Sequence, residues 1–515
     1  MSHALNITTS RFNRRSLMRG VLAVAAASAS PLRLAHAAPA VSNKGAKVML
    51  SEAAVADLQK SIKGNVILPE SPDYERARKV WAPWIDRRPA LIAKVTSAGD
   101  IQAALQFAKS HDLLTAIRCG GHSNAGNGMC DGGMVIDLTA FNGVEVDPAK
   151  KIARVSGGAL LGNLDRASAP HKLATTAGVV SHTGVGGLAT GAGQGRLARM
   201  FGLTIDNNLG VEMALLDGRI VKANAKENPD LYWAVRGGGG NFGIVTQFEF
   251  QLHEYDGVIT TFSYTYPAAK AKDVMKVYLD MNDGMPPQMT FGAGVRTSER
   301  GETTASFSGT YVGPKDAAER LLAPLKALGT PINARVDQME YVKLQSIADG
   351  SLLSDRFAYN KGGFFSKVDM KLCEAMIDFH TRANVPRTSV RFGQQGGAIS
   401  KVAETATAFA QRDGIHQASL DVDWMANAGY DVAGSIKYIR DLWTMMEPQS
   451  THGFYLNTIN DDENPDRIRT TYRGNYARLQ AIKAKYDPSN FLHLNPNIKP
   501  KTAVTKADTK AAMAQ

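Results

Sequence analysis

Cysteine is scarce in this chain: three residues in 515, Cys119, Cys130 and Cys373. That is too few for a disulfide scaffold, even in an oxidising compartment. Cys119 and Cys130 leave two readings open, a bond across their loop or two separate buried thiols. Past residue 37, no stretch reaches the roughly 18 uninterrupted apolar residues that a membrane span needs. Basic residues do not interleave with aromatics in any cluster, so nothing marks a nucleic-acid surface. No internal repeat points to a solenoid or propeller, and no metal-ligand set stands out.

The formal net charge is +11, but five arginines and no acidic residue fall within 1–37, so the remainder carries +11 less those five, or +6. That is a weak balance for so long a chain and makes no case for nucleic acid. Within the same segment, Asn13-Arg14-Arg15-Ser16-Leu17-Met18 precedes an apolar stretch over 20–35 and a small-residue cleavage pattern, Ala35-His36-Ala37. The paired arginines resemble a twin-arginine export signal. Residues 1–37 are therefore expected to be removed by the twin-arginine export machinery's route, leaving a periplasmic or secreted protein without a membrane span. Residues 501–515 read as a disordered, lysine-bearing tail.

What remains is an ordinary globular composition, 44% hydrophobic and 21% charged, with length for two or three domains. A first region, 70–257, alternates short strands with helices. Ser97 caps a helix whose Ile101, Ala104, Leu105 and Ala108 share one face, and a β-prone run at 114–118 follows. Strands are expected at 134–138 and 243–252, with hairpins at 143–155 around Asp147-Pro148 and at 211–223 around Asp217-Gly218. A second region, 258–460, mixes β-rich pieces with amphipathic helices at 315–328 and 371–383, which predicts an antiparallel sheet with helices against one face. Residues 473–486 read as a closing helix, ended by Asp487-Pro488-Ser489-Asn490.

Two glycine patterns invite a dinucleotide-binding reading, Gly184-Val185-Gly186-Gly187-Leu188-Ala189 and Gly238-Gly239-Gly240-Asn241-Phe242-Gly243. The fingerprint has meaning only where it joins a strand to a helix whose N-terminus receives the pyrophosphate. Gly191, Gly193 and Gly195 follow the first pattern and are poor helix material. The second leads into Ile244-Val245-Thr246-Gln247-Phe248, a strand by composition. A Rossmann domain is therefore not expected. The glycines still need a cause, and close approach of backbone to an extended ligand, N–H groups facing phosphates, is the physical one. A surface loop without function is the plainer alternative.

In order along the chain come Arg118-Cys119-Gly120-Gly121-His122-Ser123, then Gly132-Gly133-Met134-Val135-Ile136-Asp137-Leu138, the glycine run over 178–195, Phe201-Gly202-Leu203-Thr204-Ile205-Asp206-Asn207, and the run from Asp230 to Gly243. This succession resembles the FAD domain of the vanillyl-alcohol oxidase superfamily. Residues 475–479 and 485–495 resemble the closing segment of its berberine bridge enzyme-like branch. The resemblance implies an α+β fold: a two-part FAD-binding domain of the PCMH type over 70–257, a substrate domain over 258–460 with an antiparallel sheet covered by helices, and a segment over 461–500 packing back on the FAD domain. It also implies that His122 bonds covalently to the 8α carbon of FAD. Arg118, Cys119, Gly120, Gly121 and Ser123 would lie along the cofactor beside it. Gly184, Gly186, Gly187 and Gly191, with Asp206, Gly243, Ile244, Val245 and Asn495, are expected around the same group. Some relatives tether the flavin twice, through a cysteine whose place Val180 takes here, so single attachment is expected. His182 and Thr183 are further departures, and Thr183, close to valine in shape, is expected to leave oxygen room to reach the flavin.

On the substrate side, residues 416–424 alternate, with Ala418, Leu420, Val422 and Trp424 on one face and Gln417, Ser419, Asp421 and Asp423 on the other. Relatives turn this polar face over the flavin. Asp421 becomes a usable base if desolvation raises its pKa. Thr458 stands where relatives often carry a catalytic tyrosine, so Tyr455, Asp421 or Tyr359 would substitute, and Gln394 and Gln395 are expected to face the substrate. The resulting expectation is an exported FAD-linked oxidase that transfers hydride from a small alcohol, amine or sugar hemiacetal to flavin N5, with molecular oxygen as acceptor. A dehydrogenase using another acceptor, or a flavin-holding protein that sequesters its ligand without turnover, is the competing reading.

Overall fold

Leu91, Ile92 and Ala93 are all fully buried, a continuous apolar run suited to a parallel strand covered on both faces. Leu91–Lys94 pairs in parallel with Met134–Asp137, and Thr115–Arg118 pairs in parallel with the other edge of that strand. Asn65–Ile67 closes the sheet antiparallel to Leu91–Lys94, so the first body takes in residues before position 70. The helix Ala98–Ser110 lies on this sheet, and Ile101, Ala104, Leu105 and Ala108 on its inner stripe are completely buried. Ser97 caps it by accepting from the Asp100 N–H. In this computed structural model the described residues are 38–349, 356–426 and 429–501. The expected signal segment, and the tail past 501, lie outside them.

A five-stranded antiparallel sheet follows, in the order Ile220–Asn224, Asn208–Ala214, Ile244–Gln251, Ile152–Ser156, Val144–Asp147. Both expected hairpins are present in it. The glycine run departs from expectation, because Val185–Gly191 is a short helix. Val185 and Ala189 are buried in the core beneath this sheet, and that packing overrides the weak helix propensity of the glycines. No strand precedes it, since residues 175–183 carry none, and Gly243 leads into the strand Ile244–Gln251. The strand-to-helix context of a Rossmann fingerprint is missing at both places.

From Val258 onward the chain builds a seven-stranded antiparallel sheet, in the order Asn333–Glu340, Val258–Pro267, Thr303–Tyr311, Met289–Thr297, Thr388–Gln394, His416–Met425, Arg356–Phe365. The helices Ala271–Asn282, Met370–Ala383 and Val432–Met446 cover one face, around a core that includes Tyr278, Phe291, Phe392, Leu420 and Trp443. The expected helix over 315–328 is broken into Lys315–Leu321 and Ala323–Lys326, with Pro324 near the start of the second piece, where a proline is tolerated. The uncovered face is short and polar: Ser263, Ser306, Gly292, Gly393, Ser419 and Asp421 all point there by strand alternation.

The last helix, Tyr476–Tyr486, brings Leu479, Ile482 and Tyr486 into the core of the first body. Asn241 of the second glycine loop clasps the segment that follows: its side chain donates to the Pro496 carbonyl (3.2 Å) and accepts from the Ile498 N–H (3.0 Å).

Candidate active site

The turn after Thr115–Arg118 is shaped by Gly121, whose φ of +69° favours glycine. It delivers His122 onto the face of Trp81, ring centroids 5.1 Å apart and planes within 6°. On its other side His122 meets residues of the glycine run. Its Nε2 lies 2.6 Å from Nδ1 of His182, and its Nδ1 has only Thr183 Oγ1, at 3.5 Å. Burial, helped by the neighbouring His182, depresses the His122 pKa to about 3. The imidazole is therefore neutral across physiological pH, with a lone pair available.

The two loops touch through glycine. A Cβ on Gly120 would sit 2.2 Å from the Gly184 nitrogen, and one on Gly184 would sit 2.5 Å from Cys119 Sγ. The pair is locked backbone to backbone. Gly187 and Gly240 differ, because a Cβ at either would enter open space. That space is a cleft of about 1400 Å³, open mouth included. From the first loop Cys119, Gly120, Gly121, His122 and Ser123 line it, and from the glycine run Gly184, Gly186, Gly187 and Gly191 do. Gly243, Ile244 and Val245 form part of its wall, and Asn495 comes from the closing segment. Asn495 Oδ1 is buried there without a hydrogen-bond partner. These features fit FAD: an extended cleft, bare glycine backbone along its wall, a neutral imidazole nitrogen at one side and an orphaned polar acceptor.

Three residues expected at the cofactor do not line the cleft. The Arg118 guanidinium turns to the Ala77 carbonyl and lies 3.8 Å from Asp137. Asp206 accepts both hydrogen bonds of a buried fork from Arg412, at 2.8 and 2.7 Å, and so is occupied in joining two loops. Val180 is only partly covered and outside the cleft wall. The cysteines are separate thiols: Cys119 Sγ contacts the Ala159 carbonyl, and Cys130 Sγ contacts those of Leu114 and Met134.

A second, smaller and polar pocket, about 490 Å³ with its mouth, brings Asp421, Ser419 and Tyr455 together with Asn360, Lys361 and Arg467. Segment 454–459 divides the two spaces, with Leu456, Asn457 and Ile459 facing the cleft and Phe454, Tyr455 and Thr458 facing the pocket. Burial raises the Asp421 pKa, against the Ser419 hydrogen bond and the charge of Arg391. The Tyr455 hydroxyl accepts from the Gln194 N–H and from Asn457 Nδ2, both at 2.9 Å, which ties it to the end of the glycine run. Tyr359 is engaged with Asp462 and Arg440. Gln394 is displaced from its expected place: the strand Thr388–Gln394 runs through it, so alternation sends its side chain under the helices, toward the Asn282 carbonyl. Gln395 takes the open side, where its amide meets Gln417 at 3.0 Å and Gln194 at 3.5 Å.

Sequence reasoning missed the contact between His122 and His182, the Trp81 platform, and Asn457, whose Oδ1 would lie 1.7 Å from a Cβ on Gly191. Only for Asn457 was there a usable signal, its place in the motif Phe454-Tyr455-Leu456-Asn457-Thr458. Among the described residues no helix is long and apolar enough to cross a membrane, and no group of three or more His, Cys, Asp or Glu is placed to hold a metal.

Comparison with known proteins gives the same picture. A family model described as an FAD binding domain matches residues 89–224, and one described as berberine and berberine like matches 454–499. Chitooligosaccharide oxidase of Gibberella zeae is 30% identical, over 80% of this chain and 88% of its own. The (R)-6-hydroxynicotine oxidase of Paenarthrobacter nicotinovorans is 29% identical, over 85% and 97%. The crystal structure of the Arthrobacter nicotinovorans 6-hydroxy-D-nicotine oxidase superposes with a TM-score of 0.77 at 27% identity, covering 86% of this chain and 99% of that one.

Proposed function

This chain belongs to the berberine bridge enzyme-like FAD-linked oxidoreductases, and from that premise we propose that it is an exported oxidase with FAD bonded once, through Nδ1 of His122. The observation that carries the reading is the neutral His122 imidazole, with Nε2 committed to His182 and Nδ1 left beside a glycine-walled cleft. Val180, which has no thiol, supports a single tether. Gly187 and Gly240 would admit the cofactor closely, and Asn495 Oδ1 would gain a partner.

FAD, when bound, supplies the hydride acceptor at N5, with molecular oxygen receiving the electrons as hydrogen peroxide. The chain's own part is to hold the substrate's C–H toward that acceptor and to remove the accompanying O–H or N–H proton. Asp421 is the residue proposed for the proton, because burial raises its proton affinity and Ser419 orients its carboxylate at 2.7 Å. The amides of Gln395 and Gln417 offer donors and acceptors on the same sheet face. A small alcohol, amine or sugar hemiacetal is the proposed substrate, and the relatives' names, a hydroxynicotine oxidase and a chitooligosaccharide oxidase, span that range.

Acid precipitation tests the attachment: the mature protein should keep its yellow flavin in the pellet, and colour released into the supernatant would remove covalent binding from the reading. A peroxide-coupled screen over alcohols, amines and oligosaccharides tests the oxidase. Reduction of an artificial acceptor with no peroxide from any substrate would make it a dehydrogenase. Export rests on residues 1–37, and N-terminal sequencing of periplasmic protein should begin at Ala38.

A further inference from the structure

Resting on covalent attachment at His122, we propose that His182 is the positioning residue for that attachment, taking the Nε2 proton of His122 while Nδ1 forms the bond to the flavin. The geometry is specific. His122 has two nitrogens, and to attack through Nδ1 it must carry its proton on Nε2. Nε2 lies 2.6 Å from Nδ1 of His182, so in the tautomer that attack requires, with Nδ1 of His122 unprotonated, the Nε2 proton has one destination.

The atoms balance as follows. The bond formed joins Nδ1 to the flavin 8α carbon, and the bonds broken are one C–H at that carbon and the N–H at His122 Nε2. The C–H electron pair passes through the ring system to dioxygen. With the two released protons it leaves as hydrogen peroxide, so the cofactor ends oxidised and the imidazole neutral. Without an acceptor at Nε2 the attacking histidine would remain a buried imidazolium, which the surroundings of His122 disfavour strongly.

A second observation extends the relay. Nε2 of His182 is buried without a partner, and so is Oδ1 of Asp349. The Asp349 carboxylate is near enough to favour the protonated form of His182, and its other oxygen accepts from the Ser181 hydroxyl. With Nδ1 accepting, neutral His182 carries its own proton on Nε2, so a buried donor and a buried carboxylate oxygen both stand without a partner, and the carboxylate favours the imidazolium formed when His182 takes the His122 proton. Burial and the nearby carboxylate act in opposite directions on His182, which leaves it neutral beforehand and able to accept.

The test uses full-length apoprotein from riboflavin-depleted cells, mixed with FAD in air. Acid-stable flavin is followed by fluorescence on denaturing gels, and reversibly held FAD by ultrafiltration. His182→Asn keeps an acceptor opposite His122 but cannot carry a proton, and His182→Ala removes both. Both variants should retain FAD reversibly and attach it roughly 10²-fold more slowly than wild type, the low end of a general base's contribution. Added imidazole should speed attachment in His182→Ala. Attachment at the wild-type rate in His182→Asn would overturn the proposal, as would joint loss of reversible FAD binding and attachment in both variants, which marks a packing role. Wild-type protein without acid-stable flavin would instead defeat attachment at His122, a distinguishable failure.

Discussion

The Ser419 hydroxyl donates to the Asp421 carboxylate across 2.7 Å, two residues apart on one face of the strand His416–Met425. Burial raises the Asp421 pKa, so the carboxylate gives up its proton at a higher pH than a free carboxyl does. As a base it acts in that ionised form, and kcat/KM should fall as pH drops through the raised value. Asp421→Asn should lower kcat/KM by about 10²–10⁴-fold and abolish that acid limb. The sign for stability is opposite: a raised folded pKa stabilises the fold at low pH, and the benefit is lost as pH rises past the unfolded value. The Asn variant should therefore melt no lower than wild type at neutral pH, which separates lost chemistry from lost fold.

Tyr455 should behave differently. Its hydroxyl accepts from the Gln194 N–H and from Asn457, so Tyr455→Phe takes the acceptor from the Gln194 N–H and leaves Asn457 Nδ2 with the Leu188 carbonyl. The expected cost is about 1–3 kcal/mol in urea unfolding, with the pH profile of kcat/KM unmoved. A vanished pH limb with unchanged stability would transfer the base role from Asp421 to Tyr455.

The glycines should divide by what faces them. Gly120→Ala drives a methyl group into the Gly184 backbone and should cost about 3 kcal/mol, whether or not cofactor is present. Gly187→Ala adds its methyl in open space on a helix. The apoprotein should gain up to ~1 kcal/mol from helix propensity, while FAD retention by ultrafiltration drops. Equal effects of both substitutions on the apoprotein would contradict this division.

Lys483 and Asp487 are completely buried and 2.7 Å apart. The lysine also donates to the carbonyls of Asn241 and Leu492, at 2.8 and 2.9 Å. Asp487→Ala strands a buried ammonium and should destabilise by about 3–5 kcal/mol, with cofactor retention lost alongside, because the partner loops line the cleft.

Most of the cleft lining was legible because its signals are local. The turn ending at His122, the glycine run and the strand after Gly243 each lie within a few residues, and period-2 alternation placed Asp421 on the open face of its strand. What failed depended on distance or parity. Asp206 pairs with Arg412, far along the chain, and Arg118 turns to a carbonyl at Ala77, neither visible in a linear motif. Gln394 departed while Gln395 kept its expected side, because the strand Thr388–Gln394 runs through Gln394 and alternation puts neighbouring residues on opposite faces. The helix Val185–Gly191 defied its composition because core packing outweighs propensity.

The clasp between Asn241 and the closing segment bears on timing. Walls of the cleft come from residues as far apart as Thr115 and Pro496, so a nascent polypeptide cannot complete the cleft until the closing segment has emerged from the ribosome. A closed cleft therefore reports a complete chain. A chain stopped before residue 490 should stay colourless when FAD is supplied, however well its earlier residues have folded.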